Sequence, residues 1–200
     1  MESFQIQSIG NFLAYYKTDL NYIKKFQEFK SNPSLASEYI TKEIGSFYSF
    51  LIEFRVVRNF TNGATDKLLD ETLLWINSKD PDNVDAFAEK LAQTTLTRGK
   101  IMSSMASKIL FLNNPWEIIP MDSLARKTLE QKENKYVIYK NNLNRFREIN
   151  DLTFEKCLDY TKPLTTLIHK DFNELEKLDV ICKNRFVDKL LWTMGNKAFH

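Results

Sequence analysis

The sequence predicts an all-α protein, and three observations carry that prediction. Apolar residues recur every three or four positions along most of the chain, as one face of a helix requires. No stretch alternates apolar and polar residues as a half-buried strand would. Only five glycines and five prolines occur in 200 residues, too few for a fold built from many hairpins. The expectation is a compact bundle of about eight or nine helices. It forms a single all-α domain over residues 1–200, or two closely packed helical lobes with a cleft near 95–126.

The elements follow in order. Ile9, Phe12, Leu13, Tyr16, Leu20, Ile23 and Phe26 mark a helix over residues 8–30, which Thr18-Asp19 could divide in two. Asn32-Pro33 is a start signal, an asparagine cap followed by proline at the first helical position. The helix it opens is expected to reach Phe60 and to bury Tyr39, Ile40, Ile44, Phe47, Leu51 and Phe54, with Gly45 allowing a close approach. An Asn62-Gly63 turn ends it, and Thr65 caps a helix running to Ile76. The DPDN run at 80–83 is a loop and cap, after which Val84, Phe87, Ala88 and Leu91 fall at helical spacing.

Further helices are expected over Lys100 to Leu112 and Ser123 to Gln131, and around Tyr136, Tyr139, Leu143 and Phe146. One or two more span Phe154 to Phe172, with Pro163 as a break or kink. The last runs from Val180 to Met194 and stops at Gly195.

Composition narrows the function. Net charge is +2, so contact with nucleic acid has to rest on a local patch. No run reaches the roughly 18–20 apolar residues of a membrane span, and the first residues lack a basic, apolar leader pattern. The chain therefore reads as cytoplasmic and free of membrane. Cys157 and Cys182 sit inside helical patterns and read as reduced core thiols. His169 and His200 are far apart, and HExxH, CxxC pairs, a Walker loop and a dinucleotide fingerprint are all missing. Neither a metal nor a cofactor is expected, so any chemistry would run on carboxylates, hydroxyls, lysines or tyrosines.

Two segments stand out. Residues 90–116 hold Lys90, Arg98, Lys100 and Lys108 and no acid. Within them, a turn around Arg98, Gly99 and Lys100 leads into a helix that opens with Ser103 and Ser104. Exposed amides and a partial positive charge at a helix N-terminus suit phosphate. Small residues that let helices pack closely explain the same pattern without a ligand. The second segment is NNPWEIIPMDSLARKTL, residues 113–129. Asp122 stands where a helix cap belongs, its carboxylate placed to accept an amide near Ala125. A rigid carboxylate at a helix N-terminus also suits stabilising a developing cation or orienting a water.

Taken together, the basic turn, the following helix and the P-x-x-x-x-P-x-D loop resemble the core of the helix-hairpin-helix DNA glycosylase superfamily. The match covers about 35 residues. The resemblance implies a glycosylase-like helical fold acting on duplex DNA, with phosphates held by the turn and by Arg98, Gly99, Lys100, Ser103 and Ser104. It places the family's catalytic aspartate on Asp122 and its motif arginine, a further DNA contact, on Arg126. Two features depart from the family. The turn carries one glycine of the usual two, and the position of the family's lysine nucleophile falls on Ser103. The activity implied is thus a monofunctional glycosylase, in which Asp122 supports attack by water. Such an enzyme holds a flipped base by stacking, and Trp116 is the tryptophan nearest Asp122 in sequence. The alternative is a non-catalytic helical module that binds nucleic acid or another protein.

Two more features have ordinary explanations beside a functional one. In CKNRFVDKLLWTMG, Arg185 and Asp188 are spaced for a pair beneath such a site, or for a pair on a plain amphipathic helix. Lys140, Arg145 and Arg147 interleave with aromatics, as in single-strand binding or on any basic helix face.

Overall fold

The computed structural model describes residues 1–60 and 63–196. Asn62 of the expected turn and His200 lie outside the described residues. The chain is all-helical, with no strand among the described residues. Among the described residues nine α-helices follow one another: α1 (Ser3–Ser31), α2 (Ala36–Tyr39), α3 (Phe47–Glu53), α4 (Thr65–Ile76), α5 (Val84–Ala92), α6 (Ser103–Asn113), α7 (Ser123–Thr128), α8 (Tyr136–His169) and α9 (Leu178–Gly195). Short 3-10 turns occupy Pro33–Leu35, Val56–Asn59 and Lys170–Phe172. The chain divides into two compact units. The first joins Met1–Leu20 to the chain from Met121 onward, and the second is Asn21–Pro120.

In the first unit, α7 and α8 both pack on α9. Its core holds Phe12 and Tyr16 of α1, Tyr139 and Phe154 of α8, and Phe186, Val187, Leu190 and Leu191 of α9. Thr18-Asp19 does not divide α1. Asp19 is buried and bound to Arg185, and this tertiary ion pair overrides a weak local preference against helix. Pro163 does not break α8 either. Pro163 and Asp159, whose carbonyl loses its amide partner, are both exposed, so solvent can serve the acceptor. Gly195 is the last residue of α9 rather than a cap beyond it. A Cβ there would lie 2.3 Å from the carbonyl oxygen of Leu124, so glycine is required for α7 to approach. Cys157 and Cys182 are both buried, as their helical positions suggested, and burial raises the Cys182 thiol to about 11.

The second unit is built on aromatics. Phe26 and Phe29 of α1 meet Tyr39, and the Phe29 and Tyr39 rings stack with centroids 4.9 Å apart. Phe47 and Phe50 of α3 continue the cluster towards Phe54 and Phe111. The expected helix from Asn32 to Phe60 is instead several short pieces. Pro33 does open a helical turn, but Gly45 has φ +91°, which no α-helix tolerates. A new start follows, with the Ser46 hydroxyl accepting the Ser49 amide at 3.1 Å. Ile44, expected in the core, is 87% exposed beside this break. Gly45 does permit a close approach: a Cβ there would be 2.6 Å from the Asn21 side chain. Thr65 is the first residue of α4 and not its cap, which is Ala64. Asn83 caps α5 as the DPDN run predicted, accepting the Ala86 amide at 3.0 Å.

Candidate functional site

The turn, Ser103, Ser104 and Trp116 belong to the second unit; Asp122 and Arg126 belong to the first. Residues 93–102 connect α5 to α6, and the two helices pack together. Leu96 and Thr97 are buried in this connection, and the hydroxyls of Thr94 and Thr97 both donate to the Leu91 carbonyl. These anchors fasten the connection to the C-terminal end of α5. The next three residues, Arg98, Gly99 and Lys100, are exposed. Arg98 and Gly99 have φ of +54° and +75°, and the Lys100 amide closes the turn on the Thr97 carbonyl at 3.0 Å. Two successive left-handed residues are the pattern of a type I′ turn, which suits glycine at the second position and strains arginine at the first.

The first turn of α6 already has an internal acid. Ser103 is buried, and its hydroxyl donates to Asp85 Oδ1 at 2.8 Å. Ser104 is half-buried, and its carbonyl accepts the Ser107 hydroxyl. Lys108 also turns inward, donating to the Phe54 carbonyl at 2.9 Å. Of the four cations in the acid-free run, Lys90, Arg98 and Lys100 are exposed. The Asp85–Ser103 contact was not anticipated. Asp85 carries no local signal beyond its place in the first turn of α5, and the contact depends on how α5 and α6 cross.

The proline loop is held by Asn114. Its side chain donates to Asp82 at 2.7 Å and accepts the Glu117 amide at 3.2 Å. Pro115, Ile118, Ile119, Pro120 and Met121 are buried, and Trp116 is half-buried. Asp122 then caps α7. Its Oδ1 accepts the Ala125 amide at 2.7 Å while its backbone is extended. Asp122 is partly exposed. Arg126, one turn on, folds back so that Nη1 donates to the Lys132 carbonyl at 3.1 Å, and its Nε is buried without a hydrogen-bond partner. α7 ends with Glu130 at φ +52° and the Gln131 amide on the Arg126 carbonyl. This is a Schellman ending with glutamate where glycine is usual.

Behind Asp122 within the first unit lies a buried polar array. Arg185 is fully buried; its Nε and Nη2 both donate to Asp19 Oδ2, and its Nη1 lies 3.1 Å from Asp188 Oδ2. The helical Arg185–Asp188 spacing was legible, but the principal partner, Asp19, is 166 residues away in sequence. Burial raises the Asp188 carboxyl above the ordinary range, with Arg185 and Lys189 opposing and Asp122 adding. Burial likewise lifts the Tyr139 phenol well above its usual value, and Asp188, Tyr136 and Asp122 add to that. Among the described residues, no three His, Cys, Asp or Glu side chains are grouped as a metal ion would need, and no helix is long and apolar enough to cross a membrane.

No protein family, curated protein or solved structure matches the chain.

Proposed function

We propose that the chain binds duplex DNA through the Thr97–Lys100 turn and removes a modified base with the help of Asp122. The observation that carries the reading is the turn itself. Two cationic side chains flank a glycine on an exposed, left-handed backbone, and the buried Leu96 and Thr97 anchor that backbone beside the end of α5. Left-handed turns of this kind present amides to anions, and Arg98 and Lys100 supply the charge that phosphate contact needs. Ser103 contributes less than the sequence suggests, because its hydroxyl is held by Asp85.

In this reading Asp122 acts on the sugar. The bond between base and C1′ breaks, water adds at C1′, and the base leaves with a proton. A carboxylate fixed by the Ala125 amide stabilises the cationic sugar and orients the water. The test is incubation with duplexes bearing a panel of modified bases, followed by assay for abasic sites. Abasic product from one of them, lost in Asp122→Asn, is the expected result. No product from any duplex overturns the catalytic reading.

A second reading keeps the DNA contact and drops the chemistry. It is favoured by the cap bond, which gives Asp122 a structural task of its own. It predicts binding that weakens with salt and with Arg98→Ala/Lys100→Ala, without abasic product.

A further inference from the structure

The longest helix leaves an apolar stripe uncovered. On α8, Ile149, Leu152, Tyr160, Leu164 and Leu167 are 82, 79, 68, 50 and 58% exposed, while the core side of the helix carries Phe154, Cys157, Thr161 and Thr165. With Lys156, the stripe occupies positions 149, 152, 156, 160, 164 and 167. The steps between them are three, four, four, four and three residues, which read the same in either direction. At 3.6 residues per turn, Ile149 and Leu167 stand five whole turns apart on one line of the helix, about 27 Å from end to end. Exposed large apolar side chains gathered on one line are what a partner surface looks like, and scattered ones are not.

The symmetry identifies the partner. We propose that a second copy of this chain docks along this face, antiparallel, with a two-fold axis crossing the stripe midway between Lys156 and Tyr160. That axis sets Ile149 against Leu167 of the other copy, Leu152 against Leu164, and Lys156 against Tyr160. An isologous interface needs a self-complementary surface of this kind. Charges beyond the stripe agree. Arg145 falls opposite Asp171, so each end joins opposite signs. Both are exposed, and Asp171 also pairs with Lys17 within its own chain. A parallel pairing would instead set Arg145 on Arg145 and Asp171 on Asp171. Lys156 at the centre meets a tyrosine face, a favourable cation–π contact, and a single polar residue inside an apolar seam fixes its register. A cavity of about 490 Å³ beside the midpoint, lined by Gln5, Thr153, Lys156 and Tyr160 among others, gives the partner's Tyr160 ring room to enter.

The proposal stands apart from DNA binding and is tested by mass. Sedimentation equilibrium over a concentration series should give a species of twice the 23.5 kDa chain mass. Leu152→Asp/Leu164→Asp should return it to monomer with an unchanged helical circular dichroism spectrum. Mild oxidation of Ile149→Cys/Leu167→Cys should yield a disulfide-linked dimer, and Ile149→Cys alone should not. A wild type that stays monomeric at the highest concentration overturns the proposal, as does a dimer that survives Leu152→Asp/Leu164→Asp. A monomer that co-sediments with lipid vesicles through the same residues also overturns it, giving the face to a membrane instead.

Discussion

Arg185 and Asp19 form an ion pair in which both side chains are sealed from solvent, with Nε and Nη2 reaching the same carboxylate oxygen at 2.8 and 2.7 Å. Removing one partner strands a buried charge, whereas replacing both with apolar side chains does not. Asp19→Ala is therefore predicted to cost about 3–5 kcal/mol in urea unfolding. Asp19→Leu combined with Arg185→Met should recover much of that loss. Equal damage from the single and double variants would contradict this account of the pair.

Asp188 predicts a pH dependence whose sign follows from burial. Its carboxyl is raised above the ordinary value of 3.8 in the folded chain, so the native state holds the proton more tightly than the unfolded state. Its contribution to stability is fully present below that ordinary value and is lost as pH rises through the raised folded value. Asp188→Asn removes this titration while keeping an oxygen for Arg185. The Tm of Asp188→Asn relative to wild type should therefore climb as pH rises from about 4 towards 7. A difference that is flat or falls over that range would contradict the assignment.

Two helical glycines are predicted to respond in opposite directions. Gly195→Ala forces a Cβ against the Leu124 carbonyl and should cost about 1–3 kcal/mol, as overpacking does. At Gly10 an added Cβ meets nothing within 4 Å. Gly10→Ala lies inside α1 and should stabilise by about 0.5–1 kcal/mol. Thermal unfolding of the two variants checks both signs.

Asp122 combines a cap with a proposed chemical role, and two substitutions separate them. Asp122→Ala loses the Oδ1 acceptor for Ala125 and should cost about 1 kcal/mol. Asparagine caps nearly as well as aspartate, so Asp122→Asn should unfold close to wild type yet fail to release a base. An Asp122→Asn protein that unfolds early would mean that its loss of activity says nothing about chemistry.

What could be read from the sequence was local. Asn83 as a cap, the α4 to α7 succession and Asp122 as the start of α7 are each decided by a few neighbouring residues, and each is present in the structure. What could not be read depends on distant partners or on single dihedrals. Thr18-Asp19 looked like a break because Arg185, the partner that keeps Asp19 inside the helix, lies far along the chain. Gly45 looked like a packing glycine and is both that and a turn, since its positive φ depends on how α1 passes beside it. Gly195 does end α9, but the α7 backbone that it also accommodates leaves no trace in its own neighbourhood. For the candidate site, the exposed Arg98–Gly99–Lys100 turn followed from its composition. The capture of Ser103 by Asp85 and the inward fold of Arg126 did not.

The most direct test of the account is the salt dependence of duplex DNA binding, followed by fluorescence anisotropy for wild type and Arg98→Ala/Lys100→Ala. Each phosphate neutralised contributes about −0.9 to the slope of log K against log salt. The account predicts measurable binding by wild type and a slope shallower by about 1.8 in the double variant. No binding at low salt, or a slope unchanged by the loss of both cations, would contradict it.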